Sequence, residues 1–394
     1  MEILGNLWNA IGGLLLIILA IEVLPGLLKW VSRSLRYGRE SKPDTRALAD
    51  AYEDADWVGP YYAVIWDLRV NWAPHVGGIM RVFSAPGLNI DEDGLRRTWN
   101  PAPSQAPNPG TSVSRIHAYG GSTMMGFGVR DDWTVPSLLS KKLNDAGHRV
   151  DVVNFGQPAY TATQAFIAFT EQMATGNIAD VTIFLDGLNE AITVEQNGTA
   201  GTVFNAAIRA DEFNLMQPWR RAELLRHALD TIVPRTMRRV QTLEELLRPA
   251  AGNDAPFRIT AEAIEPLCRD VVSHYVNTLR MIRAIADDND TRPLFFWQPS
   301  LFSKRTLSDY EERYKNDGAP VPGLRGELFQ TIYAMLKSNP VFQSLPGAVD
   351  VSGLFDDSPD AQFIDPFHLA EKGNDVLADA MLPHVIKALE AKKG

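Results

Sequence analysis

Arg115-Ile-His-Ala-Tyr-Gly-Gly-Ser-Thr-Met-Met-Gly126 is the stretch on which the fold turns. Its first half, Arg115 to Tyr119, reads as a strand, and it breaks directly into two glycines and a serine, residues that permit a tight turn. The same alternation repeats along the chain. A helical pattern over about 134–146 ends at Gly147, and an apolar run from Val150 to Phe155 follows. A helical pattern over about 161–175 then leads to the run Val181 to Leu185. Later come the run Leu294 to Trp297, a helix over about 326–338 and a final helix over about 369–391. Strands alternating with helices predict a parallel sheet covered on both faces.

Around this core the 394 residues have room for one large α/β domain with extensions. With 45% hydrophobic and 22% charged residues, the composition is that of a chain that folds. A net charge of −10, with no concentrated basic face in the folded region, argues against a nucleic acid as partner. The single cysteine, Cys268, excludes an intramolecular disulfide and a cysteine-based metal cluster.

From Ile3 to Ile21 there is no charged residue. At about 1.5 Å per residue such a helix reaches roughly 29 Å, close to the hydrocarbon thickness of a bilayer, so a single retained N-terminal membrane anchor is expected. Trp8 and Trp30 stand where interfacial aromatics would. A cleaved signal fits less well, since no lysine or arginine precedes the run and no convincing cleavage site follows it. Lys29, Arg33, Arg36 and Arg39 after the run would keep the rest of the chain in the cytoplasm. The expected organisation is an anchor with a basic juxtamembrane segment over 1–39, an extension and linker over 40–112 with a hairpin near Asn89 to Gly94, and a main domain over 113–394. A helical insertion is expected over about 191–290, its basic Arg220 to Arg248 region reading more readily as a solvated helix face than as a binding surface. The polar segment Ser303 to Gly323 follows a strand end and is either a lid or a plain surface loop.

Ser122 stands at the carboxyl end of a parallel strand, where ligands meet such sheets. Alone, Gly-Gly-Ser-Thr is equally a phosphate-cradling turn or a helix N-cap. Further segments add weight. Gly156, in Asn154-Phe-Gly-Gln-Pro158, ends the second strand, and Asn189, in Leu185-Asp-Gly-Leu-Asn-Glu190, ends the third. Acyl transfer develops negative charge on a carbonyl oxygen, and the N–H groups of Ser122 and Gly156 with the amide of Asn189 are candidate donors to it. Asp365 and His368, in Phe363-Ile-Asp-Pro-Phe-His-Leu-Ala370, supply a general base and the group that orients it. The other six histidines lack such company, and His117 reads as a packed residue. No metal is needed for this chemistry, no His/Asp/Glu cluster suggests one, and no cofactor is expected.

Ser122, Gly156, Asn189 and His368, in this order, resemble the four blocks of the SGNH, or GDSL-like, hydrolases over about residues 113–390. Two positions depart from the family pattern: Gly120-Gly121-Ser122 replaces Gly-Asp-Ser, and Gly187-Leu188-Asn189-Glu190 replaces Gly-x-Asn-Asp. The resemblance implies a three-layer, flavodoxin-like sandwich of about five parallel strands. It also implies a serine esterase or O-acyltransferase working through an acyl-enzyme. Anchored members of the family often act on acyl groups of envelope glycans or lipids, which implies an extracytoplasmic domain, against the charge pattern after the anchor. The competing class is a membrane scaffold or polysaccharide-binding component that keeps the fold without turnover.

Overall fold

The structure is a computed structural model, and it describes residues 11–25, 44–53, 55–102, 112–215, 229–247, 257–315, 319 and 323–393. The chain divides into two compact units, Met1–Pro43 with Ala206–Pro256, and Asp44–Asn205 with Phe257–Gly394.

In the first unit the described residues are helical over 11–25, Ala206–Leu215 and Pro234–Leu247. Leu14, Leu16 and Ile17 are exposed, and the N–H of Thr236 donates to Glu22 Oε1 at 2.6 Å. The expected span Ile3 to Ile21 lies partly outside the described residues. Among those described, no helix is long and apolar enough to cross a membrane.

The second unit holds the sheet. Two small hairpins come first, β1 (Val70–Asn71) with β2 (Ile79–Met80), and β3 (Phe83–Ala85) with β4 (Leu88–Ile90). The hairpin expected near Asn89 to Gly94 is found there, as a turn over Asp91 to Gly94 closed by an antiparallel Ile90–Arg96 bridge, and the β3–β4 hairpin turns before it at Gly87. Five parallel strands follow: β5 (Ser114–Gly120), β6 (Val150–Asn154), β7 (Val181–Asp186), β8 (Arg292–Trp297) and β9 (Ala348–Asp350). Their order is β6-β5-β7-β8-β9, that of a flavodoxin-type doubly wound sheet. The chain steps outward from β5 to β6, then returns to add β7 on the other side, so the topological switch point lies between β5 and β7. Strand β9 is short and half-buried, too weak a pattern to be read in advance.

Alternate residues of the strands serve two cores. Ile116, Ala118, Ile183 and Phe296 face one cluster, closed by the helices Val135–Asp145 and Glu371–Lys393. Tyr119, Phe184, Phe295 and Trp297 face the other, under the helices Ala162–Ala174, Ala261–Asp288 and Leu324–Lys337. Both sheet faces are covered, which makes the three-layer α/β sandwich expected from the sequence.

The stretch expected as one insertion, 191–290, is split. Leu188–Asn197 and Ala261–Asp288 carry buried residues of the second core, because their apolar stripes pack on the sheet, and 206–256 belongs to the first unit. The extension from Asp44 to residue 102 is part of the second unit. It has its own small core, Tyr52, Val58, Tyr61, Tyr62 and Ile65 with Ile364 and Ala370, and so packs against the loop that carries His368.

Candidate active site

Strand β5 ends at Gly120, Gly121 caps the short helix Ser122–Met125, and Ser122 opens it. As the first helical residue, Ser122 has no carbonyl one turn back to receive its N–H. A Cβ on Gly121 would collide with Asn189 Nδ2, so only glycine lets the amide sit beside the serine. Asn189 follows the β7 turn at Gly187, whose φ of 124° suits glycine and where a Cβ would fall 2.9 Å from the Trp297 ring. Asn189 Nδ2 donates to the Tyr160 carbonyl at 2.7 Å, which fixes the amide and leaves its second proton for another acceptor.

His368 comes from the loop before the last helix. That loop is closed by an antiparallel bridge from Phe363 to Leu369 and by the N–H of Ile364 donating to the His368 carbonyl at 2.9 Å. His368 Nε2 lies 2.7 Å from Ser122 Oγ, and its Nδ1 lies 2.8 and 3.0 Å from the two oxygens of Asp365. Asp365 Oδ1 also accepts the N–H groups of Phe367 at 2.9 Å and His368 at 2.8 Å. Burial alone would push the Asp365 carboxyl up. The charge and hydrogen bond of His368, with these two N–H donors, outweigh it and hold the carboxyl below its ordinary value. A carboxylate on Nδ1 keeps the proton there, so the Nε2 lone pair faces the serine hydroxyl.

The third expected donor differs. The N–H of Gly156 donates to Asn154 Oδ1 at 2.9 Å, while Asn154 Nδ2 donates to the Met124 carbonyl at 3.0 Å. Asn154 thus clips the second strand end to the serine helix and occupies the Gly156 N–H. The donors left are the Ser122 N–H and the Asn189 amide. His117 is a packed residue as expected, 3.3 Å from the Tyr119 hydroxyl, with its imidazole pushed down to about 4 by burial first and by Arg115 second.

Supporting groups surround the site that the sequence reading gave no role. Arg46, from the extension, places Nη1 3.6 Å from Asp365 Oδ2, is held by a fork to Asp44 at 3.0 Å, and stacks over Phe127 and Trp66 at 5.0 Å each. Phe127 in turn lies 4.7 Å from the His368 ring. Lys304 and Glu311, an ion pair at 2.6 Å with both side chains fully buried, hold the histidine loop from beneath, where Glu311 Oε1 accepts the N–H groups of Gln362 and Phe363. The described part of Ser303 to Gly323 is therefore an anchored support, and the lid reading does not apply to it. Glu190 accepts the N–H of Ala162 at 2.6 Å and of Gly187 at 2.9 Å, so it fixes the Asn189 turn. Glu190 was visible as the departure from Gly-x-Asn-Asp; Arg46 carried no local signal at all.

No protein-family model matches this chain, and no curated protein matches it either. Solved structures do. It is similar to a member of the lipolytic protein G-D-S-L family from Veillonella parvula, at 11% identity over 69% of this chain and 97% of that one, with a TM-score of 0.36. It is similar to a catalytic mutant of Axe2, an acetylxylan esterase from Geobacillus stearothermophilus, at 11% identity over 70% and 95% with a TM-score of 0.38. It is also similar to TesA, at 13% identity over 71% and 99% with a TM-score of 0.34. These likenesses are distant, and the fold stands on the strand order and register given above.

Proposed function

We propose that this chain is a serine hydrolase or O-acyltransferase of the SGNH type, with Ser122 as nucleophile. The observation that carries the reading is the unbroken chain from Asp365 through His368 to Ser122 Oγ, at 2.8 and 2.7 Å, at the sheet's switch point. His368 Nε2 takes the hydroxyl proton as Oγ bonds to the acyl carbonyl carbon. The oxyanion meets the Ser122 N–H and the Asn189 amide. On collapse the ester C–O bond breaks and the leaving alcohol takes the proton from His368. Water or an acceptor hydroxyl then gives a proton to His368 and attacks the acyl-enzyme, which regenerates Ser122.

The substrate class we propose is an O-acyl group on a cell-envelope glycan or lipid, reached from an N-terminal anchor that includes the uncharged run Ile3 to Ile21, with the second unit extracytoplasmic. Fluorophosphonate labelling of wild type and Ser122→Ala tests the chemistry: labelling that persists in the variant, or its absence from both, sinks the serine reading. Acyl donors offered with and without glycan acceptors separate hydrolysis from transfer. Alkaline carbonate extraction tests the anchor, and release of the full chain into the supernatant rejects it. A C-terminal alkaline phosphatase fusion tests the side, and a silent phosphatase places the domain in the cytoplasm.

A further inference from the structure

A cavity of about 700 Å³ that neither Ser122 nor His368 lines runs from Tyr160, at the carboxyl end of the sheet, down the helix Ala162–Ala174 to Asn177. It sits between the hairpin segment 73–95 and the edge formed by β6 and the helix Ala162–Ala174. Its size falls within the roughly 300–1,000 Å³ of ligand pockets. Three links hold its walls together. Gln157 accepts the N–H of Met80 at 2.9 Å and donates to the Gly94 carbonyl at 2.8 Å; Gln164 donates to the Val76 carbonyl at 2.7 Å; Tyr160 donates through its hydroxyl to the Gly78 carbonyl at 2.6 Å. A site braced in this way is preformed, which spares a ligand the cost of ordering it. Tyr160 joins it to the chemistry, since its carbonyl holds the Asn189 amide.

The lining states what fits. Leu95, Val153 and Phe155 are half-buried and give an apolar floor, with Phe155 backed by the Tyr119 ring at 5.0 Å. Asp91, Asp93 and Glu171 stand at the rim, and no lysine or arginine lines the cavity among the described residues. Carboxylates accept hydrogen bonds only, so they pair with hydroxyl donors and repel anions. An apolar floor beneath acceptors suits the C–H face of a sugar ring with its hydroxyls outward. We infer that this cavity binds the neutral oligosaccharide portion of the substrate. The inference deepens the reading of Ser122 as an acyl-transferring serine and rests on it, but binding and chemistry are measured apart.

The test uses full-length Ser122→Ala, titrated calorimetrically with xylotetraose, cellotetraose and tetra-N-acetylchitotetraose, with tetragalacturonate and spermine as anionic and cationic controls. At least one neutral tetrasaccharide binds tenfold or more tightly than tetragalacturonate. Adding Asp93→Asn with Glu171→Gln weakens it at least fivefold, and Thr175→Trp, a filling change at an exposed lining position, abolishes it. Far-ultraviolet dichroism and urea midpoints of these variants that match those of Ser122→Ala show that the fold survives. Binding of spermine alone, binding of none of the neutral probes, or neutral binding indifferent to the rim changes overturns the inference. Failure of wild-type labelling would instead reject the serine mechanism and leave the binding result standing.

Discussion

Arg46 and Asp365 face each other at 3.6 Å across nearly the whole length of the sequence, so the candidate triad is completed by a residue of the N-terminal extension. Burial works against the charge on Arg46, but the hydrogen bonds it donates to Asp44 and the charge of Asp365 outweigh it and strengthen the guanidinium's hold on its proton. Arg46 therefore stays cationic, and it faces the carboxylate that stabilises an imidazolium in the proposed mechanism. Arg46→Met takes a positive charge from beside that ion pair, so the acid limb of the kcat/KM profile moves to higher pH and kcat falls about tenfold, roughly 1.4 kcal/mol. Arg46→Lys keeps the charge but loses the fork to Asp44 and the stacking, so its acid limb stays near wild type while kcat is intermediate. An unmoved acid limb in Arg46→Met would reduce Arg46 to a packing role.

Asn189 and Asn154 should separate cleanly. If Asn189 is the oxyanion donor proposed above, Asn189→Ala lowers kcat by about 10²–10³ with little change in KM. Asn154→Ala strips the Gly156 N–H and the Met124 carbonyl of their partners, which costs about 1–3 kcal/mol in denaturant unfolding. Its effect on kcat is the smaller of the two. Equal losses of kcat would mean that Gly156 works as a donor during turnover, with Asn154 setting its direction.

Much of this was legible in the sequence for a physical reason. Strands buried on both faces, such as Val181–Asp186, read as continuous apolar runs, and a serine or asparagine directly after such a run must lie at the sheet's carboxyl edge. Asp365 and His368 meet within one turn of chain, so their pairing follows from spacing alone. Arg46 and the Lys304–Glu311 pair act through tertiary packing between segments with no shared period, and nothing local marks them. The Gly156 N–H failed as a free donor because the residue two positions back is an asparagine, whose side chain can fold onto the backbone just ahead of it.

The Lys304–Glu311 pair is costlier to break on one side than its exposed counterparts on the surface. Both side chains are fully buried, and Lys304 Nζ also donates to the Asp360 carbonyl at 2.6 Å. Lys304→Met leaves a buried carboxylate uncompensated, which costs about 3–5 kcal/mol. It also loosens Gln362 and Phe363, so activity falls at temperatures where the fold persists. The double change Lys304→Met with Glu311→Leu costs less than the sum of the two singles, because no charge is stranded, although the N–H groups of Ser308, Gln362 and Phe363 lose their acceptor. Urea unfolding of the three proteins decides, and a double change that costs as much as the sum of two singles rejects the coupling.

Asp186 gives a pH-dependent test of the sheet's carboxyl edge. Its side chain is buried at the end of β7, and neither oxygen has a hydrogen-bond partner among the described residues. Burial first, and the negative charge of Glu190 second, push its carboxyl well above the ordinary range; Glu190 is raised by burial too, against the N–H groups of Ala162 and Gly187 that favour its charge. Asp186 therefore keeps its proton in the folded chain above about pH 3.9, where an unfolded aspartate releases it. Between those two points the folded state binds more protons than the unfolded, so stability falls as pH rises through the window and stays lowered above it. Asp186→Asn is neutral at every pH and lacks that loss. Its urea midpoint relative to wild type should accordingly climb from pH 4 to pH 8, with Tyr275 and Trp297 packed around the site unchanged in near-ultraviolet dichroism. Parallel pH dependences for the two proteins would show that Asp186 is ionised in place.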